Sequence, residues 1–571
     1  VWVLKLSISI LFKRGWLIDI LYGIWGELIM KINKLYIKNY RMFKDELIKV
    51  NSGCNIFVGD NNSGKSTLLE IIQVLLSGKI NNSSFERQLK VSFFNYESRS
   101  IFKEIIADPS QKIEELPSII VEAYFDNDVS NSNYKGTNNE LGEDCPGIRM
   151  CVEFNQDYSP AFQTMVQDGE IYDIPVEFYK VSWRDFGDNP IIFRTFPVKV
   201  SLIDTTQKDY DSAVNKFINS RITNNLSDDE KVHLTRAYRK MKHEFNNNPN
   251  VIALNERLAV EEKLDDKAIK FGMQEDVLES WMNEVSIEVE NIPFEDMGFG
   301  TQNLIKMELV FKQDTEKSNV VLFEEPENNL AFGNMSRLIS KINQDENKQV
   351  FISTHSSFVA NKLGLKNIIL LYKGHTNQLD AVDPDTMDFF KKLPGYGTVR
   401  FLLAEKVILV EGPTDELIIQ RAYKDVHGKL PIENGLDVIT VDSLAFKRYC
   451  DLAVLVRKPL RIITDNDGDV QRNIIDKYKD YLKAHGDLIK IYYETNETLH
   501  TIEPSVLAVN SVEEEVFNKF KRVISKGNSM IKKNVTEIES FMINNKAEWG
   551  MRVFDSDECI EYPAYIKDAI R

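Results

Sequence analysis

Cys54-Asn55-Ile56-Phe57-Val58-Gly59-Asp60-Asn61-Asn62-Ser63-Gly64-Lys65-Ser66-Thr67 decides the architecture of the first two thirds of this chain. A short apolar strand runs into GxxxxGK[ST], and helical periodicity follows from about Lys65 to Leu76. A glycine turn between a buried strand and a helix start is a phosphate cradle. Gly59 and Gly64 let backbone N–H groups curl round an anion, and the helix N-terminus adds its positive dipole end. Lys65 supplies a point charge to the outer phosphates, and the Ser66 hydroxyl is placed to ligate Mg²⁺. Gly59, Asn61, Asn62, Ser63, Gly64, Lys65, Ser66 and Thr67 are therefore the candidate ATP contacts.

Two later strands complete a nucleotide site. Val320–Phe323 is an apolar run that ends in Glu324-Glu325-Pro326-Glu327. Glu324 stands where an Mg²⁺-coordinating acid belongs, and Glu325 where a water-activating acid belongs. Phe351-Ile352-Ser353-Thr354-His355-Ser356 ends a further strand in one histidine, placed to sense the γ-phosphate or hold the attacking water.

A second α/β unit begins at Lys406. Val407-Ile408-Leu409-Val410-Glu411-Gly412-Pro413-Thr414-Asp415-Glu416 is a strand ending in an acid, then an acidic helix start. Arg461-Ile462-Ile463-Thr464-Asp465-Asn466-Asp467-Gly468-Asp469 is another strand, ending in Asp-x-Asp. Ligands bind at the carboxyl ends of parallel strands, so Glu411, Asp465 and Asp467, with Asp415 nearby, form a candidate oxygen-only site for Mg²⁺ or Mn²⁺. An EF-hand is the weaker reading, because the twelfth position from Asp465 is Asp476 and a strand precedes the loop.

Composition limits the partners. The 571 residues carry a net charge of −17, with 43% hydrophobic and 27% charged residues. That is globular, neither collagenous nor largely disordered. The chain is not basic in bulk, so nucleic acid must be met by a local basic groove. Five scattered cysteines with no CxxC pair argue against zinc and against a disulfide framework, and suit a reducing cytosol.

The first 29 residues are apolar and tryptophan-rich, but Lys5, Lys13, Arg14, Asp19 and Glu27 interrupt them too often for a membrane span. Gly26-Glu27-Leu28-Ile29-Met30 reads like a translated ribosome-binding stretch, so Met30 is the expected natural start and residues 1–29 a non-native or leader extension. Strands are predicted at Lys31–Ile37, Ser118–Phe125, Arg149–Phe154, Glu177–Ser182, Val198–Ile203, Asp437–Val441 and Arg461–Thr464. Residues 80–115 read as loop, and 209–282 as helix broken at Asn246–Asn250. The expected domains are 30–208, a helical insert at 209–283, 284–405 and 406–571.

Ile37-Lys38-Asn39-Tyr40-Arg41-Met42-Phe43 resembles the opening of ABC ATPases of the SMC and RecF group. Met297-Gly298-Phe299-Gly300-Thr301-Gln302-Asn303 resembles a degenerate ABC signature loop, which implies that Gly300 and Gln302 contact a second protomer's nucleotide. Strand–Glu-Gly with strand–Asp-x-Asp is the Toprim pattern. The two in this order resemble the OLD (overcoming lysogenization defect) family of ATP-dependent nucleases over residues 30–571. Leu499-His500-Thr501-Ile502-Glu503-Pro504 is similar to the family segment that adds a metal-binding acid, Glu503. Asn545-Lys546-Ala547-Glu548-Trp549 and Tyr562–Ile566 are similar to its terminal helix, which makes Lys546 a catalytic cation.

The resemblance implies an α/β chain, an ABC-type ATPase with a helical insert followed by a Toprim domain. It implies an ATP-regulated, metal-dependent DNA endonuclease of phage defence, cytoplasmic, without membrane contact and homo-oligomeric as a dimer or tetramer. A UvrD-like helicase or a reverse transcriptase with retron DNA is an implied partner. Glu324 replaces the usual Asp, so slow ATP turnover is expected. The alternatives are an SMC- or RecF-like repair ATPase whose Toprim unit is inactive, and a nucleotide-gated scaffold that regulates a partner.

Overall fold

A computed structural model describes residues 30–571 apart from 81–82, 108–115, 127–132, 205–225, 262, 265–266, 269–270, 274–287, 313–319, 329, 346, 373, 380–381, 394–396 and 443. The expected leader, 1–29, lies outside the described residues. In chain order the elements used below begin with β1 (Ile32–Tyr40), β2 (Phe43–Lys49), β3 (Cys54–Gly59), α1 (Lys65–Ser77), α2 (Tyr96–Ala107), β4 (Ile119–Phe125), β5 (Cys145–Phe154), β6 (Tyr179–Asp185) and β7 (Val200–Asp204). Next come α3 (Asp228–Asn246), α4 (Pro249–Glu261), α5 (Phe299–Lys312), β8 (Val320–Glu324), β9 (Gln349–Ser353), α6 (Ser357–Leu363), β10 (Ile368–Tyr372), β11 (His375–Gln378) and α7 (Thr398–Leu403). The chain ends in β12 (Lys406–Val410), α8 (Pro413–His427), β13 (Leu436–Thr440), β14 (Leu460–Ile463), β15 (Ile489–Tyr492), α9 (Ile502–Asn510), α10 (Lys546–Asp555) and α11 (Ala564–Ile570).

The chain packs as two units. The first comprises Leu69–Phe94 and Ser98–Ile352, with the opening residue of β1. Here β4, β5 and β6 form an antiparallel meander in which Ile119 pairs with Val152 and Cys151 with Ser182. Alternation along β5 sends Ile148, Met150, Val152 and Phe154 inward, and Phe154 meets the rings of Phe162, Phe178 and Tyr179. β7 lies parallel to β8, Asp204 beside Glu324. The apolar residues Val320–Phe323 are fully buried, as a strand covered on both faces requires. α3 opens on a Ser227–Glu230 capping box, and α3 and α4 leave most of their described side chains, Val232 and Met241 among them, in solvent.

The second unit comprises Asn33–Leu68, Asn95–Glu97 and Ser353–Arg571. β1 and β2 form a hairpin, β3 pairs in parallel with β10, and β10 turns back into β11. A separate parallel sheet has the order β13-β12-β14-β15. Its four strand ends point one way, and α8, α9, α10 and α11 cover it with a core around Ile408, Val410, Val506, Trp549 and Ile566.

Two expectations need correction, and one strand was not foreseen. Residues 80–115 hold a helix, α2, where loop was predicted: Asn95 Oδ1 accepts the Glu97 N–H at its start, and Phe102 and Ile105 are buried. Polar residues dilute that stripe. The helical run of 209–282 gives way after α4 to a small antiparallel pair, Lys263–Leu264 with Lys267–Ala268. Its charged sequence has too little apolar periodicity to hold a helix. β10, a strand not among those predicted, lies beside β3 with Ile368, Ile369 and Leu371 buried and Tyr372 in solvent.

Candidate active site

The phosphate loop lies in the second unit. Lys65, 6% exposed, donates from Nζ to the carbonyls of Gly59 at 2.9 Å and Asp60 at 3.0 Å. The Ser63 N–H closes the turn on the Asp60 carbonyl at 3.1 Å. Gly64 has φ +105°, and a Cβ there would fall 2.5 Å from Met42 Sδ, so glycine is required on two counts. Asn62 also has positive φ; Asn61, Asn62 and Ser66 are exposed, and Thr67 is partly buried. Ser63 Oγ is buried and has no hydrogen-bond partner among the described residues. Beside β3, the Thr354 N–H donates to Phe57 O at 3.2 Å, and the next residue, His355, is exposed.

The acid pair lies in the first unit. Glu324 ends β8, and Glu325 follows with φ 44°, a left-handed backbone uncommon for a glutamate. Asn328 holds it twice, N–H to Glu325 O at 2.9 Å and Nδ2 to Oε2 at 2.7 Å. Gly300 and Gln302 lie in the first turn of α5. Gln302 is turned inward, and its Nε2 donates to the Phe294 and Met297 carbonyls, both at 2.9 Å. That amide props its own loop.

The second acidic group is built on strand ends. Glu411 follows β12, Asp465 follows β14, and Asp415 sits in the first turn of α8. Thr464 Oγ1 donates to Glu411 Oε1 at 2.5 Å, and the Asp465 N–H donates to the same atom at 3.3 Å. The Gly412 N–H fixes Asp415 Oδ2 at 2.8 Å. Glu503, only 1% exposed in its side chain, enters from α9, with Thr501 Oγ1 on Oε2 at 2.8 Å. Lys546, 55% exposed at the start of α10, reaches Glu503 Oε1 at 3.3 Å. Asp467 is exposed, on a turn with φ 50°.

Electrostatics bind these groups together. Burial pushes the Asp465 carboxyl up to about 8, and Asp415, Glu411, Glu503 and Asp467 push it further the same way. Burial likewise raises Asp415 to about 7, against the Gly412 hydrogen bond and the Lys546 charge. Among the described residues no three of the acids stand close enough to share one ion as they are placed. The donor chemistry nevertheless fits a hard cation. The carboxylates repel one another, and among the described residues Glu503 Oε1 accepts no hydrogen bond and meets the Lys546 ammonium at 3.3 Å. Thr464 and the clamp residue Arg421, described below, escaped the sequence reading. A threonine beside an Asp-x-Asp and an arginine inside a helix carry no signal until the strands are assembled.

A family model described as an AAA ATPase domain matches residues 30–360. The chain belongs to the AAA ATPase domain family. A second, described as the overcoming lysogenization defect protein-like TOPRIM domain, matches residues 402–467, so this AAA ATPase carries the expected Toprim domain after it. Endonuclease GajA of Bacillus cereus (strain HuB5-5) is 22% identical over 84% of this chain and 81% of its own length. An ATP/GTP phosphatase of Helicobacter pylori is 23% identical over 57% of this chain and 85% of its own length. A solved SMC head bound to the C-winged helix domain of ScpA covers 61% of this chain and 99% of its own at 16% identity, TM-score 0.33. No described helix is long and apolar enough to cross a membrane.

Proposed function

We propose that this ATPase is a nucleotide-regulated, divalent-metal-dependent DNA endonuclease. The observation that carries the reading is the gathering of Glu411, Asp415, Asp465 and Glu503 into one field at the carboxyl ends of parallel strands, with Lys546 beside them. The similarity to a protein named an endonuclease supports it.

Glu411, Asp415, Asp465, Asp467 and Glu503 would hold Mg²⁺ or Mn²⁺, which supplies charge neutralisation at the phosphodiester and a water of lowered pKa. Thr464 and the Asp465 N–H orient Glu411, and Gly412 orients Asp415. Lys546, anchored on Glu503 but open to solvent, stabilises charge building on the phosphate. In the ATPase half, Lys65 would trade the Gly59 and Asp60 carbonyls for phosphate oxygens and Ser66 would ligate the accompanying Mg²⁺, while Glu324, in the other unit, would serve as a metal-coordinating acid. Glu325 orients the attacking water and His355 senses the γ-phosphate. Gly300 and Gln302 shape the loop offered to a second protomer. The domain limits that suit these roles are 30–405, with an insert at 209–283, and 406–571. The exposed helices α3 and α4 are the surface for a homo-oligomer. The setting is cytoplasmic defence against phage DNA, alone or with a helicase or a reverse transcriptase.

Supercoiled plasmid incubated with the protein, Mg²⁺ or Mn²⁺, with and without ATP, tests the reading. Nicking that EDTA and Glu411→Ala both abolish supports it. Intact plasmid under all conditions, with ATP hydrolysis present, favours a repair ATPase or scaffold instead.

A further inference from the structure

α7 has only six residues, yet it holds three of the four strands of the sheet whose ends carry Glu411 and Asp465. Its end runs through Ala404 and Glu405 directly into β12, which stops at Glu411. From its middle, Arg400 forks onto Asp437 of β13, Nε to Oδ2 at 2.7 Å and Nη2 to Oδ1 at 2.6 Å, with Val438 O at 3.1 Å from Nη2. Its last carbonyls are gathered by Lys458, whose Nζ donates to Phe401 at 2.9 Å, to Leu402 at 2.7 Å and to Ala404. Lys458 stands two residues before β14, the strand that ends at Asp465.

The opposite end of α7 is tied to the nucleotide side. The Val399 N–H donates to Ser357 Oγ at 3.2 Å and Thr398 Oγ1 to Asn361 Oδ1 at 2.5 Å, both on α6. α6 begins one residue after the stretch His355-Ser356. Lys458 closes the circuit. Burial lowers its pKa to about 8 while the Asp60 carboxylate of the phosphate loop draws it back up, so the two groups share a field. Asp60 also offers one of the carbonyls that Lys65 holds.

We propose that α7 couples the nucleotide loop to the nuclease carboxylates, with Arg400 and Lys458 as its positioning residues. The proposal rests on the nucleotide and nuclease sites assigned above. Its physical content is a stiff link. Parallel strands in hydrogen-bonded register shift as a plate, and each strand is about five residues, or ~16 Å, from the α7 end to the acids. A displacement of α6 after His355 is passed to α7 by two hydrogen bonds. It moves Glu411 and Asp465 together, because the same helix holds both strands at their starts.

The test compares the full chain with Lys458→Met, the charge-keeping Lys458→Arg, and the milder Thr398→Val, in hydrogen exchange with and without Mg²⁺ and ATPγS. In the parent, nucleotide is expected to change exchange at 59–66 and also at 398–404 and 458–470. Lys458→Met and Thr398→Val are expected to keep the change at 59–66 and lose it at 458–470, and Lys458→Arg to restore it. Allosteric coupling of this kind is about 5- to 150-fold, so the ratio of plasmid cleavage with and without nucleotide should collapse to below about twofold in Lys458→Met. Undiminished transmission to 458–470 in both Lys458→Met and Thr398→Val overturns the coupling role while leaving the two sites standing. A parent that shows no change at 59–66 overturns the nucleotide site itself, and the coupling with it.

Discussion

Asp465 and Asp415 hold protons at a pH where an ordinary carboxyl, near 3.8, has lost them. Between about pH 4 and 8 the metal-free fold therefore binds more protons than the unfolded chain. The stability these two groups contribute at low pH is lost as pH rises through 7 to 8. Metal-free protein should melt at a lower temperature at pH 8.5 than at pH 6, and Mg²⁺ should raise the melting temperature more at the higher pH. Asp465→Asn should flatten both effects in a thermal melt series, and an unchanged slope would show that the acids do not share a field. Glu411→Ala should lower plasmid cleavage at least about a hundredfold, since each 1.36 kcal/mol of lost transition-state stabilisation is tenfold in rate. Glu122 is the instructive contrast. It is buried more completely than Glu411, Asp415 or Asp465, but Tyr124 Oη, the Glu140 N–H and Arg149 surround it, so it is a satisfied structural acid. Glu411, Asp415, Asp465 and Glu503 were legible in the chain because each follows an apolar strand or a recognisable segment. Thr464 was not, because its role depends on a neighbour 53 residues away in sequence.

At the scale of elements, α8 and α10 are the pair that sets Lys546 against Asp415. Arg421 of α8, 5% exposed in its side chain, pairs with Asp425 at 2.7 Å and donates to the carbonyls of Val553 and Phe554, both at 3.1 Å, and to Ser556 at the end of α10. Removing it leaves Asp425 and several carbonyls buried without their cation. Arg421→Met should cost about 3–5 kcal/mol in urea unfolding, with cleavage per folded molecule reduced because Lys546 sits at the other end of the loosened helix. A cost below about 1 kcal/mol would mean that the carbonyls find water instead. Strands with unbroken apolar runs, such as Val320–Phe323 and Lys406–Val410, announce themselves. α2, with its diluted stripe, and α7, six residues stitched by side chains from three directions, are defined by tertiary partners and have no signature of their own.

At the scale of the molecule, the two chemistries should fail separately. Lys65→Ala should remove ATP binding, and Glu325→Gln should permit binding but block hydrolysis, whereas Glu411→Ala should leave hydrolysis near the parent rate. Fluorescent-nucleotide titration and phosphate release distinguish the three. Loss of nucleotide affinity in Glu411→Ala would mean that the acids also shape the ATPase. The interleaving of the chain has a further consequence, for biosynthesis. Ile56 of β3 waits for Ile368 of β10, roughly 300 residues downstream. At about 5–20 residues per second, a ribosome takes roughly 15 seconds to a minute to deliver that partner. For that interval a nascent segment with an apolar strand and the start of α1 cannot close its sheet. Chains that stall before β10 should therefore be trapped by chaperones or degraded, so the cell accumulates few phosphate loops that lack their β10 partner.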